Sequence, residues 1–177
     1  DATNKVLSLT LRQSCPATPG QVEKQPFLIP IAMGLLDQQG QSLPLQLENE
    51  AQAYASDTRV LQLRETEQTF QFINVEQQPI ISLLRGFSAP VKLHIELDNE
   101  ELAFLMAHEK DSFNRWDAGQ SLFIQIMLSL ISDYQQAISL NLPDILIKQC
   151  AAVLEDKNAD PALVARMLTL PSENYLA

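Results

Sequence analysis

Histidine, cysteine and basic residues are scarce in this 177-residue sequence, and each scarcity excludes a class of function. The chain has two histidines and two cysteines, with no cysteine pair at metal-ligand spacing, so a structural zinc site is not expected. Twelve Lys and Arg against 22 Asp and Glu give a net charge of −10. This balance argues against nucleic acid as a partner, because phosphate backbones are bound by clustered cations.

Long apolar runs are also missing. The longest, such as residues 122–130, are too short and interrupted to span a bilayer, so no membrane partner is expected. Cys15 and Cys150 fall in different predicted domains, which makes a disulfide-dependent fold unexpected and a reducing compartment compatible. The chain begins at Asp1 without a signal-like segment and almost directly on a predicted strand, which suggests a piece of a longer protein.

The first half of the sequence alternates between apolar and polar residues, the pattern of strands with one buried face. Pro30 lies on the outer face of the second strand and indicates an edge or a bulge. Short strands at close spacing, without a helical pattern among them, predict an immunoglobulin-like β-sandwich over residues 1–98. The predicted strands cover residues 6–13, 27–36, 43–47, 60–64, 69–75, 79–85 and 91–97.

At Asp98 and Asn99 the apolar period changes to about 3.6, and helices follow. Asn99, Ser112 and Asp160 are predicted to cap helices, and Pro143 suits a first helical position. Successive short helices predict an α-solenoid over residues 99–177, incomplete at its end, so the fold class is α+β by segregation. The inner stripe of the long helix, predicted to include a buried Trp, is Trp116, Gly119, Leu122, Phe123, Ile126, Met127, Leu130, Ile131 and Tyr134.

Several segments resemble bacterial aminopeptidase N nearly from end to end. They are PATPGQVEKQP at 16–26, EQTF at 67–70, FSAPVKL at 87–93, LAFLMAH at 102–108, FNRWDAGQSL at 113–122, DPAL at 160–163 and LTLPSEN at 168–174. The resemblance implies the β-sandwich third domain of that family and the start of its helical C-terminal domain. It also implies a parent enzyme that is a cytoplasmic, bacterial, zinc-dependent exopeptidase removing N-terminal residues from peptides.

The catalytic motifs of the family do not occur here, so no catalytic, substrate-binding or metal-binding residue is predicted. The family uses a His-Glu-x-x-His helix with a distant Glu, and a Gly-x-Met-Glu-Asn segment that binds the substrate amine. The nearest local match begins at His108-Glu109, but Ser112 stands where the second histidine is needed. The expected cofactor is therefore none in this chain and zinc in the parent enzyme.

The other chemically suggestive residues have structural interpretations. Glu100 and Glu101 are adjacent on a helix and do not face one another, so capping charges are expected rather than an acid/base pair. His94 lies on the polar face of its predicted strand. Cys150 stands among apolar positions and is expected to be a small buried hydrophobic residue, and Cys15 lies in a loop with no sequence signal for reactivity.

These observations predict a non-catalytic part of an aminopeptidase N, inactive alone, whose sandwich is a spacer between catalytic and helical domains. Its expected partners are the missing catalytic domain and the remainder of the helical domain of the same polypeptide. A stand-alone sandwich that binds carbohydrate or protein is the alternative, and exposed aromatic residues on a sheet face would favour it. A small independent enzyme is a third hypothesis, and the absence of a clustered His, Cys or Ser constellation counts against it.

Overall fold

A computed structural model describes residue 1 and residues 3–175, the last without its side chain. The chain divides into two compact units, Asp1–Val91 and Lys92–Ala177. The predicted domain boundary between residues 98 and 99 stays a prediction. The first unit contains the strands and the second contains the α-helices, so the segregated α+β fold class is confirmed.

The first unit, as far as the structure describes it, contains five strands in two antiparallel sheets. One sheet pairs β1 with β4, with Leu9 opposite Phe70. The other has the order β3-β2-β5, with Ile31 opposite Leu61 and Leu35 opposite Ile81. The strands are β1 (Leu7–Arg12), β2 (Ile29–Leu36), β3 (Arg59–Leu63), β4 (Glu67–Phe72) and β5 (Ile80–Leu83).

Apolar side chains from both sheets form one core in this unit. Met33 and Leu35 of β2, Leu45 of the following loop and Phe72 of β4 are all completely buried. Burying each such side chain contributes about 1.5–3 kcal/mol to folding. Pro30, which lacks a backbone N–H, pairs with β3 at a position that β5 does not reach, so its neighbourhood is a sheet edge as predicted.

Two predicted strands are wrong. Residues 43–47 form no ladder: isolated bridges pair Ser42 with Leu36 and Leu47 with Phe72, and Pro44 between them has no N–H to donate. Residues 91–97 belong to no strand either, although they alternate. Alternation describes side chains, whereas a strand also needs a partner edge, and no ladder among the described residues includes this segment.

The second unit, over its described residues, contains α1 (Asn99–His108), α2 (Ser112–Gln135), α3 (Asp144–Glu155) and α4 (Pro161–Met167). The predicted caps Asn99 and Ser112 are each wrong by one residue. Asp98 caps α1 because its carboxylate accepts from the Glu101 N–H while the Glu101 side chain accepts from the Asp98 N–H. Asp111 caps α2 because its carboxylate accepts from the Asn114 N–H.

The starts of α3 and α4 lie at or next to the prolines in the sequence. Pro143 is the residue before α3 rather than its first residue, and Asp160 caps α4 with Pro161 at its first position. The core of this unit lies where α1 packs on α2, around the buried residues Leu102, Leu105, Met106, Leu122, Phe123 and Ile126. The Met106 side chain passes 3.4 Å from where a Gly119 Cβ would stand, so a small residue at 119 allows this close packing.

Candidate functional site

The beginning of α2 is held to α1 and α3 by Arg115. Its Nε donates to the Met106 carbonyl at 2.9 Å, and its Nη2 donates to Asp156 Oδ2 at 3.2 Å, just beyond the end of α3. The Arg115 side chain is only 15% exposed, so the contact is shielded from water on most sides. Glu109, which is buried, accepts from the N–H groups of Lys110 and Asp111. This network fixes the corner at which three helices meet.

The Asp156 carboxylate is stabilised in its charged form. The backbone N–H of Asn158 and, next, the Arg115 side chain lower the pKa of Asp156 below its ordinary value. Because both donors bind the ionised carboxylate more strongly than the neutral acid, the corner is most stable while Asp156 is charged.

A pocket of about 380 Å³ opens beside this corner, between α2 and α4. Ser112, Phe113 and Trp116 line it from the first turns of α2, and Leu163 and Arg166 line it from α4. The Phe113 and Trp116 ring centroids are 5.8 Å apart with planes tilted by 45°, an arrangement that aromatic pairs favour.

The prediction that Trp116 is buried is wrong. Its ring is half-buried at the pocket, whereas Gly119, Leu122 and Phe123 of the same stripe are buried. A helical stripe is covered only where a neighbouring element is long enough, and α4 has only seven residues. At the other end of the stripe Ile131 and Tyr134 are exposed. Desolvation raises the pKa of the adjacent Asp117 above its ordinary value.

The histidines predicted to be non-functional lie apart from this pocket's lining. His108 is exposed in the last turn of α1, with its ring centroid 4.6 Å from that of Phe104. Ser112, four residues on, belongs to α2, so the two residues do not share one helix face. His94 is exposed in the extended segment before α1.

Glu101, in the acidic pair at the start of α1, has the capping role that was expected of it. The Glu101 side chain accepts from the Asp98 N–H and completes the cap, and the neighbouring Glu100 is exposed. Both cysteines are free thiols: Cys15 is exposed, and Cys150 is half-buried with a pKa that desolvation raises. A raised pKa disfavours the reactive thiolate.

Within residues 1 and 3–175, no group of three or more His, Cys, Asp or Glu side chains is placed to hold a metal ion. The prediction that this chain has no catalytic, substrate-binding or metal site stays a prediction. No helix among these residues combines the length and the apolar character that crossing a membrane requires.

The sequence reasoning missed a buried cation in the first unit. Arg85 is 5% exposed, and its guanidinium donates to the Asp57 carbonyl, to Thr58 Oγ1 and to Ser82 Oγ. It lies against the backbone of Gly34, where a Cβ would overlap the guanidinium. An arginine directly after the apolar run of β5 was the available signal, because such a residue must be solvated by the protein itself.

Comparison with protein families matches each part of the chain. Residues 1–96 match a family described as a domain of unknown function (DUF3458) with an Ig-like fold. Residues 99–177 match a family described as a domain of unknown function (DUF3458_C) with ARM repeats. The fold therefore defines a class: an Ig-like domain followed by stacked helices.

Similar proteins give this class a more specific setting. Aminopeptidase N of Escherichia coli (strain K12) is 44% identical over 96% of this chain, which spans 19% of that protein. Aminopeptidase N of Haemophilus influenzae is 35% identical over the whole chain, which spans 20% of it. A crystal structure of Legionella pneumophila aminopeptidase A in complex with aspartic acid superposes over 99% of this chain and 18% of that one, with a TM-score of 0.76 and 28% identity.

The chain belongs to the DUF3458 Ig-like family, and its resemblance to a segment of bacterial aminopeptidase N is confirmed. It spans only about a fifth of the length of the curated relatives it matches.

Proposed function

We propose that this chain is a non-catalytic part of a zinc-dependent aminopeptidase N, in which its Ig-like unit is a structural spacer between the catalytic and C-terminal helical domains. The observation that carries the proposal is 44% identity to the E. coli enzyme over a segment that is 19% of that enzyme. The parent enzyme would remove N-terminal residues from peptides in the bacterial cytoplasm.

The composition of the chain supports a structural role. A catalytic zinc site of this class needs two histidines four positions apart on a helix and a third protein ligand, whereas this sequence has only His94 and His108. The zinc would therefore be held by the catalytic domain, and this chain needs no cofactor of its own. The inward-facing aromatic residues Phe70 and Phe72 are half-buried and completely buried, so that face of the sheet belongs to the core and not to a ligand site.

The partners in this proposal are other parts of the same polypeptide. The second unit exposes large apolar side chains on the C-terminal half of α2 and on α3, among them Leu128, Ile131, Ile147 and Leu154. In stacked helical repeats such a face is covered by the next repeat, and a terminal repeat carries a polar outer face instead. Exposed apolar residues therefore support continuation of the helical domain beyond this chain.

A chimera tests the spacer role. The 177 residues would replace the matching segment of E. coli aminopeptidase N, and hydrolysis of leucine p-nitroanilide would be measured beside the wild type and a deletion of that segment. We expect the chimera to keep most of the activity and the deletion to lose it through misfolding. A chimera that is folded by circular dichroism but inactive, or an active deletion, would contradict the proposal.

A further inference from the structure

We propose that the pocket between α2 and α4 binds the C-terminal residue of a short peptide, with Arg166 on the carboxylate and the aromatic wall around an apolar side chain. The choice of a peptide as the source of this group rests on the proposed function. The preference for an apolar carboxylate rests on the pocket alone.

The wall of the pocket fits an apolar side chain. Three of its five lining residues are apolar, namely Phe113, Trp116 and Leu163, and Phe113 is 42% exposed although it is large. The volume of about 380 Å³ falls at the small end of the range for ligand sites, which suits one residue better than an extended peptide.

The polar groups at the pocket select an anion. The Arg166 guanidinium makes no hydrogen bond or ion pair with any described residue, although the other arginine of this unit is paired with Asp156. Within the same residues, the Ser112 hydroxyl and the Trp116 indole N–H also make no hydrogen bond. Arginine offers a planar fork of donors that matches a carboxylate, so a carboxylate is the complementary ligand.

The walls are held in place before any ligand arrives. The Asp111 carboxylate caps the first turn of α2, and Arg115 fixes that turn to α1 and to Asp156. Gln120 Nε2 donates to the Thr169 carbonyl at 3.0 Å and so ties α2 to the end of α4. A pocket fixed in this way loses little conformational freedom on binding.

The affinity is expected to be weak. The chain carries a net charge of −10, which repels an anionic ligand, and Arg166 is exposed to screening solvent. An exposed ion pair of this kind changes an equilibrium constant by roughly 1.4-fold to fivefold. We expect dissociation constants in the millimolar range.

Trp116 is the only tryptophan and lines the pocket, so its fluorescence reports binding directly. The probe is the tripeptide Gly-Gly-Leu, titrated into the 177-residue chain beside its C-terminal amide and beside free leucine. We expect a saturable change in Trp116 emission with the tripeptide, and weaker binding of the amide and of leucine by up to about fivefold. The ammonium of free leucine would lie next to the Arg166 cation.

Three variants assign the effect to Arg166. Arg166→Gln should bind acid and amide alike, Arg166→Lys should keep part of the preference, and Lys148→Gln, with the same charge change on α3, should behave as wild type. Circular dichroism shows whether each variant is folded. If Arg166→Gln does not fold, the reduced acid preference of Arg166→Lys still tests the role of Arg166.

No saturable change, equal binding of acid and amide by the wild type, equal binding of leucine, or an equal loss in Lys148→Gln would overturn the proposal. A failure of the peptide-binding proposal is distinguishable from a failure of the proposed spacer role. Peptide binding is measured on this chain alone, whereas the chimera reports activity of the catalytic domain.

Discussion

Replacing Gly34 with alanine tests the buried cation of the first unit. Gly34 lies in the middle of β2, and an added Cβ would overlap the Arg85 guanidinium, with Nη2 only 2.6 Å away. Real Cβ atoms do not approach other atoms so closely, so the guanidinium has to move. Because Arg85 is 5% exposed and bonded to Asp57 and Thr58, it cannot swing freely into water.

The cost follows from the contacts that the movement breaks. The hydrogen bonds from Arg85 to the Asp57 carbonyl, at 2.8 Å, and to Thr58 Oγ1, at 3.0 Å, would be lost or lengthened. A hydrogen bond of a charged group contributes about 1.5–3 kcal/mol, and Gly→Ala returns about 0.4–1 kcal/mol by restricting the unfolded chain. The net loss is about 3 kcal/mol, which lowers the Tm of a unit of this size by roughly 12–24 °C.

The assay is thermal unfolding followed by far-UV circular dichroism and calorimetry. Gly20→Ala is the matched control, because Gly20 also lies in the first unit but has open space around its Cβ position. Its positive φ of 82° costs alanine about 1–2 kcal/mol, which is less than the loss expected at Gly34. A Gly34→Ala variant that melts with Gly20→Ala would refute the reasoning. So would a Gly34→Ala cost that is unchanged in an Arg85→Met background, where the overlapping group is gone.

Three further predictions concern the second unit and the thiols. Asp156→Asn should lower the Tm at pH 7 but not near pH 2. Because the pKa of Asp156 is lowered in the folded state, its contribution to folding stability is fully present above the ordinary carboxyl pKa and is lost as pH falls through the folded-state pKa. Measuring the Tm of both proteins across this pH range checks the prediction. Cys15 should react with a thiol reagent at once and Cys150 slowly, because burial raises the pKa of Cys150. After denaturation without reductant, two thiols should be found, and fewer than two would contradict the assignment of both cysteines as free thiols. Trp116 should emit between the maxima of buried and exposed indole, and a fully red-shifted maximum would contradict its half-buried position.

The apolar periodicity of the sequence was sufficient to predict the fold class, because most strands and helices have one apolar and one polar face. β1, with Leu7, Leu9 and Leu11 facing the core, and the cap of α4 at Asp160 followed by proline follow directly from local rules. Residues 91–97 were misread because pairing depends on a partner edge that the local pattern does not encode.

The candidate site was less predictable, since it depends on which element lies opposite. Trp116 belongs to the apolar stripe of α2, yet the short α4 leaves it half-exposed. Arg85 is buried because partners from distant parts of the sequence surround its guanidinium. The apolar run of β5 signals that the protein must solvate the cation that follows it, but it does not identify the partners, and the partial exposure of Trp116 has no signature in neighbouring residues. The missing second histidine after His108 is visible in the sequence itself.

The central claim is that this chain contributes structure and not catalysis to an aminopeptidase N. The most direct measurement is the zinc content of the purified 177-residue chain by mass spectrometry, together with its hydrolysis of leucine and alanine p-nitroanilides. The account predicts no stoichiometric zinc and no released nitroaniline, because the sequence has no second histidine at residue 112 to pair with His108. Stoichiometric zinc with hydrolysis that EDTA abolishes, in a sample free of contaminating peptidases, would contradict it.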